Sequence, residues 1–162
     1  MSLKNILRLG DSRLYEISIP VLQSEIESLK PAVEILHNAL MEYREKYGAG
    51  RAVAAPQIGV FKRFIYLNID QAVVIINPEL SDFSEEKMEI WDDCFCFPGL
   101  LVKVERAKRV KLKFRDENWE EHIWALEGDL SELIQHEYDH LDGILATQRA
   151  IDNKSFKMIS ED

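Results

Sequence analysis

Gln135-His136-Glu137-Tyr138-Asp139-His140 decides how this chain is read. Two imidazoles stand four residues apart, with a carboxylate beside the first. On an α-helix that spacing puts both rings on one face about a turn apart, where they can share one metal ion. Glu137 lies roughly 100° around the helix from His136, where it can reach a water on that metal without ligating it. Two neutral nitrogens plus a proton acceptor are the equipment of a metal-dependent hydrolase. The flanking residues predict the helix itself. Asp129 followed by Glu132 reads as a capping-box start, Leu130, Leu133, Ile134 and Leu141 supply apolar positions, and Gly143 is the stop. His37 and His122 lack such company and are expected to be packing or surface residues.

Catalytic sites of this kind use three protein ligands and keep one position open. One familiar solution extends His136-Glu137-x-x-His140-x-x-Gly143 by a histidine three residues after the glycine, but Ala146 stands there. A glutamate downstream is the other, and the only one after the helix is Glu161, in a polar tail. Upstream, Asp92-Asp93-Cys94-Phe95-Cys96-Phe97-Pro98-Gly99 holds the only two cysteines. Their sulfurs are expected to point apart, one facing the histidine helix and the other packing as a small buried hydrophobe. Counting thus yields a Cys-His-His site without saying which cysteine. A thiolate ligand suits zinc or ferrous iron and disfavours magnesium or calcium.

The 162 residues fit one domain with its own core, spanning residues 1–162. Hydrophobic residues make up 46% of the chain and no low-complexity tract interrupts them, which excludes a disordered chain. No apolar run approaches membrane-spanning length, and Met1-Ser2-Leu3-Lys4-Asn5 lacks a signal-peptide core. Two cysteines alone suit a reducing cytoplasm, and a net charge of −9 argues against a nucleic-acid surface. The layout reads as α+β. Ile26, Leu29, Val33, Leu36, Leu40, Tyr43 and Tyr47 form a helical stripe, with regular helix beginning at Pro31 and broken by Gly48 and Gly50. The Pro56-Gln57 block follows as loop or irregular strand. Strands are predicted over 64–69, 73–77, 87–91 and 101–105. Arg109–Arg115 alternates apolar and basic residues as a half-buried strand, with 119–126 as its hairpin partner.

Three blocks resemble the peptide deformylases, metallohydrolases that remove the formyl group from the N-terminal methionine of new proteins. They are Gly50-Arg51-Ala52-Val53-Ala54-Ala55-Pro56-Gln57-Ile58-Gly59, Asp92 to Gly99, and Gln135 to Leu141, and the likeness runs from about residue 3 to 146. The opening Ile6-Leu7-Arg8-Leu9-Gly10-Asp11-Ser12-Arg13-Leu14 is also similar. The resemblance implies antiparallel sheets packed around a C-terminal helix that carries the histidines, with a long N-terminal helix. It implies Cys94, His136 and His140 as ligands of one divalent ion per chain, ferrous iron with zinc or nickel as alternatives. It makes Glu137 the acid/base, with Gln57 and the backbone N–H of Phe95 as oxyanion donors. Arg51, Ala52, Val53, Ile90, Asp93 and Leu133 would contact an N-formylated peptide.

The departures fall where the family binds its peptide. The second block usually begins Glu-Gly-Cys-Leu-Ser, and here reads Asp92-Asp93-Cys94-Phe95-Cys96. The first usually reads Gly-x-Gly with an apolar middle residue, and here reads Gly50-Arg51-Ala52. Arg51 would favour an acidic group on the substrate, and Asp93 would narrow the groove. Beside the deformylase reading stand an amidohydrolase for another N-acylated peptide and a metal-binding relative without turnover. Intact Glu137 and Gln57 count against the last. After Gly143 the chain has a short stretch ending Ile159-Ser160-Glu161-Asp162, which predicts at most weak ribosome contact. Cosedimentation with ribosomes at moderate salt is expected to fall below that of a relative with a long basic C-terminal helix; parity between the two would contradict this.

Overall fold

The computed structural model describes residues 2–159, so Ser160-Glu161-Asp162, part of the reason to expect weak ribosome contact, lie outside the described residues. The architecture is α+β with two antiparallel sheets. Five strands, β1 (Ala52–Ala54), β2 (Phe64–Asn68), β3 (Ala72–Ser81), β6 (Arg109–Arg115) and β7 (Glu121–Glu127), pair in the order β1-β2-β3-β6-β7. The smaller sheet has the order β4-β5-β8, from β4 (Lys87–Asp92), β5 (Leu100–Ala107) and β8 (Phe156–Met158). Two helices, α1 (Lys30–Tyr47) and α2 (Asp129–Leu141), complete the core. Among the described residues no helix is long and apolar enough to cross a membrane.

Apolar side chains on β1, β2 and β3 alternate between two cores because successive strand residues face opposite ways. Val53, Phe64, Tyr66, Val74 and Ile76 join Leu36, Ala39, Leu40 and Tyr43 of α1 in one cluster. Ala52, Ala54, Ile65, Leu67 and Ile75 join Leu133, Ile134 and Leu141 of α2 in the other. A strand covered on both faces reads as an unbroken apolar run, and Phe64-Ile65-Tyr66-Leu67 is that run. Outboard, Val110, Leu112 and Phe114 turn inward while Lys111 and Lys113 stay exposed, as their alternation predicts.

Several elements differ from the sequence expectation. Ile26 and Leu29 lie in a 3₁₀ segment, Gln23–Leu29, so the stripe is not one helix; α1 does carry Pro31 in its first turn and ends at Gly48 with φ +70. β3 runs four residues past Asn77, which holds φ +50 at a register shift and binds both backbone groups of Val21 at 2.8 Å. That bulge admits Pro78 into a paired strand. The β6–β7 connection takes Asp116 to Glu120, with Trp119 at φ +64, so the hairpin strand begins at Glu121. β8 carries no alternating pattern and was not expected.

The capping box at α2 is absent. Gly128, at φ +65, is the N-cap, and the Glu132 carboxylate turns away to bind Arg51. The Glu132 N–H instead donates to the Gly128 carbonyl at 3.0 Å. At the other end, Gly143 (φ +72) donates to the His140 carbonyl at 3.1 Å, and Ile144 to Asp139 at 2.9 Å. A Cβ on Gly143 would fall on the Tyr15 carbonyl and lie 2.9 Å from the Glu16 oxygen. Steric overlap adds to the left-handed strain, so Gly143→Ala is expected to lose at least ~2 kcal/mol of stability. Urea unfolding measures it, and a loss below ~0.5 kcal/mol would mean that the chain crossing at Tyr15 is loose.

Candidate active site

α2 brings the histidines together as the spacing requires. The Nε2 atoms of His136 and His140 are 3.3 Å apart, and Cys94 Sγ lies 3.3 Å from His140 Nε2. One donor atom from each of the three residues falls within 4.8 Å of the others. A tetrahedral ion with bonds of ~2.1 Å separates neighbouring nitrogens by ~3.4 Å, so the three donors already stand at coordination spacing. All three residues are buried.

The surroundings prepare each donor. His136 Nδ1 meets Asp92 Oδ2 at 2.7 Å, which leaves Nε2 free to face the cluster. Burial opposes a charge on His136, but Asp92 outweighs it and raises the pKa to about 9. Burial pushes His140 well below its ordinary value, keeping it neutral. Burial pushes the Cys94 thiol up, so a thiolate there needs a cation beside it.

Asp92 is itself held by Arg106 Nη2 at 3.1 Å, and Arg106 Nη1 donates to Asp139 Oδ2 at 2.7 Å. Arg149 closes on Asp139 with two hydrogen bonds of 3.0 Å. Gln135 pairs with the backbone of Ala107, accepting its N–H at 3.1 Å and donating to its carbonyl at 2.8 Å. Sequence reasoning had no role for Asp92, Arg106, Asp139 or Arg149. A carboxylate opening the cysteine block, two residues before Cys94, and another inside the histidine motif were the available signals.

Glu137 is buried, and its Oε2 is one of three fully buried side-chain polar atoms without a hydrogen-bond partner among the described residues. Burial raises its pKa to about 8. Gln57 lies in a 3₁₀ turn, Ala55–Ile58, after β1. Its Oε1 accepts from the Ala54 N–H at 2.8 Å, which aims Nε2 at the sulfurs of Cys94 (3.7 Å) and Cys96 (3.4 Å). Phe95 follows Cys94 in a turn closed by the Phe97 N–H on the Cys94 carbonyl at 3.1 Å, and its ring stacks on Tyr43 at 3.9 Å.

The cysteine expectation needs correction. Residues two apart on a strand share a face, and Cys94 and Cys96 in any case sit in the turn beyond β4. Both are buried and both accept from Gln57, yet only Cys94 joins the histidines. His37 bonds the Tyr66 hydroxyl at 2.6 Å as a packing group, whereas His122, expected to lack company, bonds Asp116 at 2.7 Å and groups with Asp116 and Glu120, one ligand atom of each within 4.8 Å of the others.

A cavity of about 150 Å³ opens beside the cluster, lined on one side by Cys94, His136 and Glu137. Of the expected substrate contacts, Arg51, Ala52, Asp93 and Leu133 line it. Val53 is wholly buried in the first core and Ile90 packs against that core; neither lines the cavity. Arg51 is bound to Glu132 at 2.8 Å, so its charge is already answered.

Comparison with known proteins matches this geometry to one family. Residues 3–156 match the sequence profile of the family described as polypeptide deformylase. The chain belongs to the polypeptide deformylase family. A curated peptide deformylase of Leptospira biflexa is 32% identical over 168 aligned positions, 96% of this chain and 92% of the relative. The crystal structure of peptide deformylase from Thermotoga maritima superposes with a TM-score of 0.82 at 32% identity, over 91% of this chain and 97% of that one. A Met-Ala-Ser-bound peptide deformylase of Acinetobacter baumannii gives a TM-score of 0.80 at 30% identity, over 89% of this chain and 96% of that one.

Within this deformylase fold, two outcomes test the donor set. Cys94→Ser is expected to lose metal on dialysis and Cys96→Ser to keep it, with the reverse pattern overturning the assignment. Asp92→Asn should weaken metal affinity 10–100-fold, because His136 loses the partner that sets its tautomer. Chelator competition measures this, and an unchanged affinity would leave Asp92 a purely structural role.

Proposed function

We propose that this chain hydrolyses the N-formyl amide of the N-terminal methionine of newly made polypeptides. The observation that carries the reading is the unpartnered Glu137 Oε2, buried beside a Cys-His-His cluster in a chain of the deformylase family. A structural metal site needs no such base and tends to close with four protein ligands. The peptide seen in the Acinetobacter relative is the deformylated form of the substrate class proposed here.

Cys94, His136 and His140 would hold one divalent ion. Ferrous iron is the proposed native metal, and zinc or nickel would suit the same donors. The bound ion supplies Lewis acidity to water and to the formyl oxygen. Glu137 accepts a proton from the attacking water and returns it to the leaving amine nitrogen. Its burial at the cavity wall, with one oxygen unpartnered, leaves that carboxyl available to serve as base and then as acid. Gln57 Nε2 and the Phe95 N–H donate to the oxygen as negative charge develops on it, a role worth ~3 kcal/mol per donor. In the resting protein Gln57 faces only sulfur, a weak acceptor, so little is lost when it turns its N–H to the oxyanion. Free thiols at Cys94 and Cys96 suit a reducing cytoplasm.

Formate release from formyl-Met-Ala-Ser, with protein purified anaerobically and loaded with ferrous iron, tests the proposal directly. Glu137→Gln is expected to keep the metal and lose ~10²–10⁴-fold in turnover, because an amide cannot take the water's proton. A variant keeping more than about a tenth of wild-type turnover would remove Glu137 from this role.

A further inference from the structure

Glu132 stands four residues before His136 on α2, so its side chain lies on the ligand's own helix face, one turn toward the N-terminus. Its side chain is only 10% exposed. A buried carboxylate is costly unless it is answered, and Arg51, from the segment leading into β1, answers it at 2.8 Å. The pair lines the cavity whose other walls include Cys94, His136, Glu137 and Leu133. In the proposed reaction the formyl carbon sits between Glu137 and Gln57. The substrate's first side chain, two bonds from the formyl nitrogen, must then lie close to the cluster, and this cavity is the space beside it.

The wall that meets that side chain is therefore ionic on one side and apolar on the other. Arg51 Nη2 is bound to Glu132 Oε1, while Nη1 reaches only the Asp129 carbonyl, at 3.5 Å. The Arg51 side chain is 39% exposed and lines the cavity, so it keeps contact with water there. A hydrocarbon entering the cavity strips that water and offers nothing in return. A carboxamide of the same length offers an oxygen to Arg51 and an N–H to Glu132, matching a donor and an acceptor that stand side by side. A carboxylate is less suited, because the Arg51 charge is neutralised and Asp93 stands at the same cavity.

Resting on the deformylase reading, we propose that the Arg51–Glu132 ion pair makes this cavity a subsite for a hydrogen-bonding first side chain, selecting carboxamide over hydrocarbon. The pair is thus a specificity determinant that leaves the hydrolytic residues as they are. Methionine, with a weakly accepting thioether, falls between the two extremes.

The test compares kcat/KM for formyl-Gln-Ala-Ser and formyl-norleucyl-Ala-Ser, whose first side chains are nearly equal in length, on iron-loaded wild type and on R51V/E132I. The glutamine-to-norleucine ratio is expected to exceed one in wild type and to drop at least tenfold in the double variant. A wild type that prefers norleucine by tenfold overturns the proposal without any variant. So does a ratio that stays within twofold when the pair is removed. If R51V/E132I fails to fold or to hold metal, R51M/E132M removes the pair with unbranched side chains and is read in the same way. Formyl-Met-Ala-Ser separates the two levels. No formate from any of the three peptides removes the deformylase reading and the subsite with it, whereas formate release with an unmoved ratio removes the subsite alone.

Discussion

Arg106 is the constraint on which the site depends. It is almost fully buried in β5, between Asp92 of β4 and Asp139 of α2. Asp92 orients the His136 ring, so one guanidinium fixes both the helix that carries the histidines and the carboxylate that sets the His136 tautomer. A charge this deep is stable only with several partners, and removing one partner of such a pair typically costs ~3–5 kcal/mol. Arg149 supplies the second positive charge that two carboxylates require. The small sheet thus grips α2 by charge while the large sheet grips it by apolar packing, through Leu133, Ile134 and Leu141. These two attachments lie on different faces of the helix, which leaves little freedom for His136 and His140 to move relative to Cys94.

The cysteine arm is positioned by a different device. Cys94 sits in a turn rather than in a strand, and a turn alone would not hold a ligand to a few tenths of an ångström. Phe95 supplies the anchor, its ring parallel to Tyr43 of α1 at an interplanar angle of 6°. Gly50 makes room for this stack. A Cβ there would sit 3.2 Å from Leu40, Tyr43 and Phe95 alike, on a backbone at φ +132. The N-terminal helix therefore braces the cysteine turn through an aromatic stack, and the residue that packs there also presents the backbone N–H proposed as an oxyanion donor.

What could be read from the sequence follows from the range of the interactions. The histidine spacing, the alternation in β6 and the apolar run of β2 are local patterns, and each element appeared where its pattern lay. The stop at Gly143 was legible because a left-handed cap is a property of one residue. The start of α2 was not, since the Glu132 carboxylate that a capping box would use is claimed by Arg51, 81 positions away. Distance in sequence likewise hid the Arg106 network, whose members come from β4, β5, α2 and the segment after it. Asn77 and Pro78 marked a strand end by composition, but Val21 satisfies the Asn77 side chain from outside the sheet and lets the strand continue.

α2 also explains why the proposed base is where it is. Seven polar or charged side chains of α2 are buried, and nearly every one is answered: Ser131 and Gln135 by Ala107, Glu132 by Arg51, His136 by Asp92, Asp139 by two arginines. Glu137 is the exception. A fold that satisfies its neighbours through backbone, arginine and carboxylate had the means to satisfy this one, and an unsatisfied buried carboxylate oxygen costs ~1–3 kcal/mol or more. That cost is borne next to three donor atoms at coordination spacing and at the wall of a cavity. Unmet hydrogen-bonding capacity concentrated at one atom, in a helix otherwise fully partnered, is the physical signature of a group whose partner arrives with the reaction.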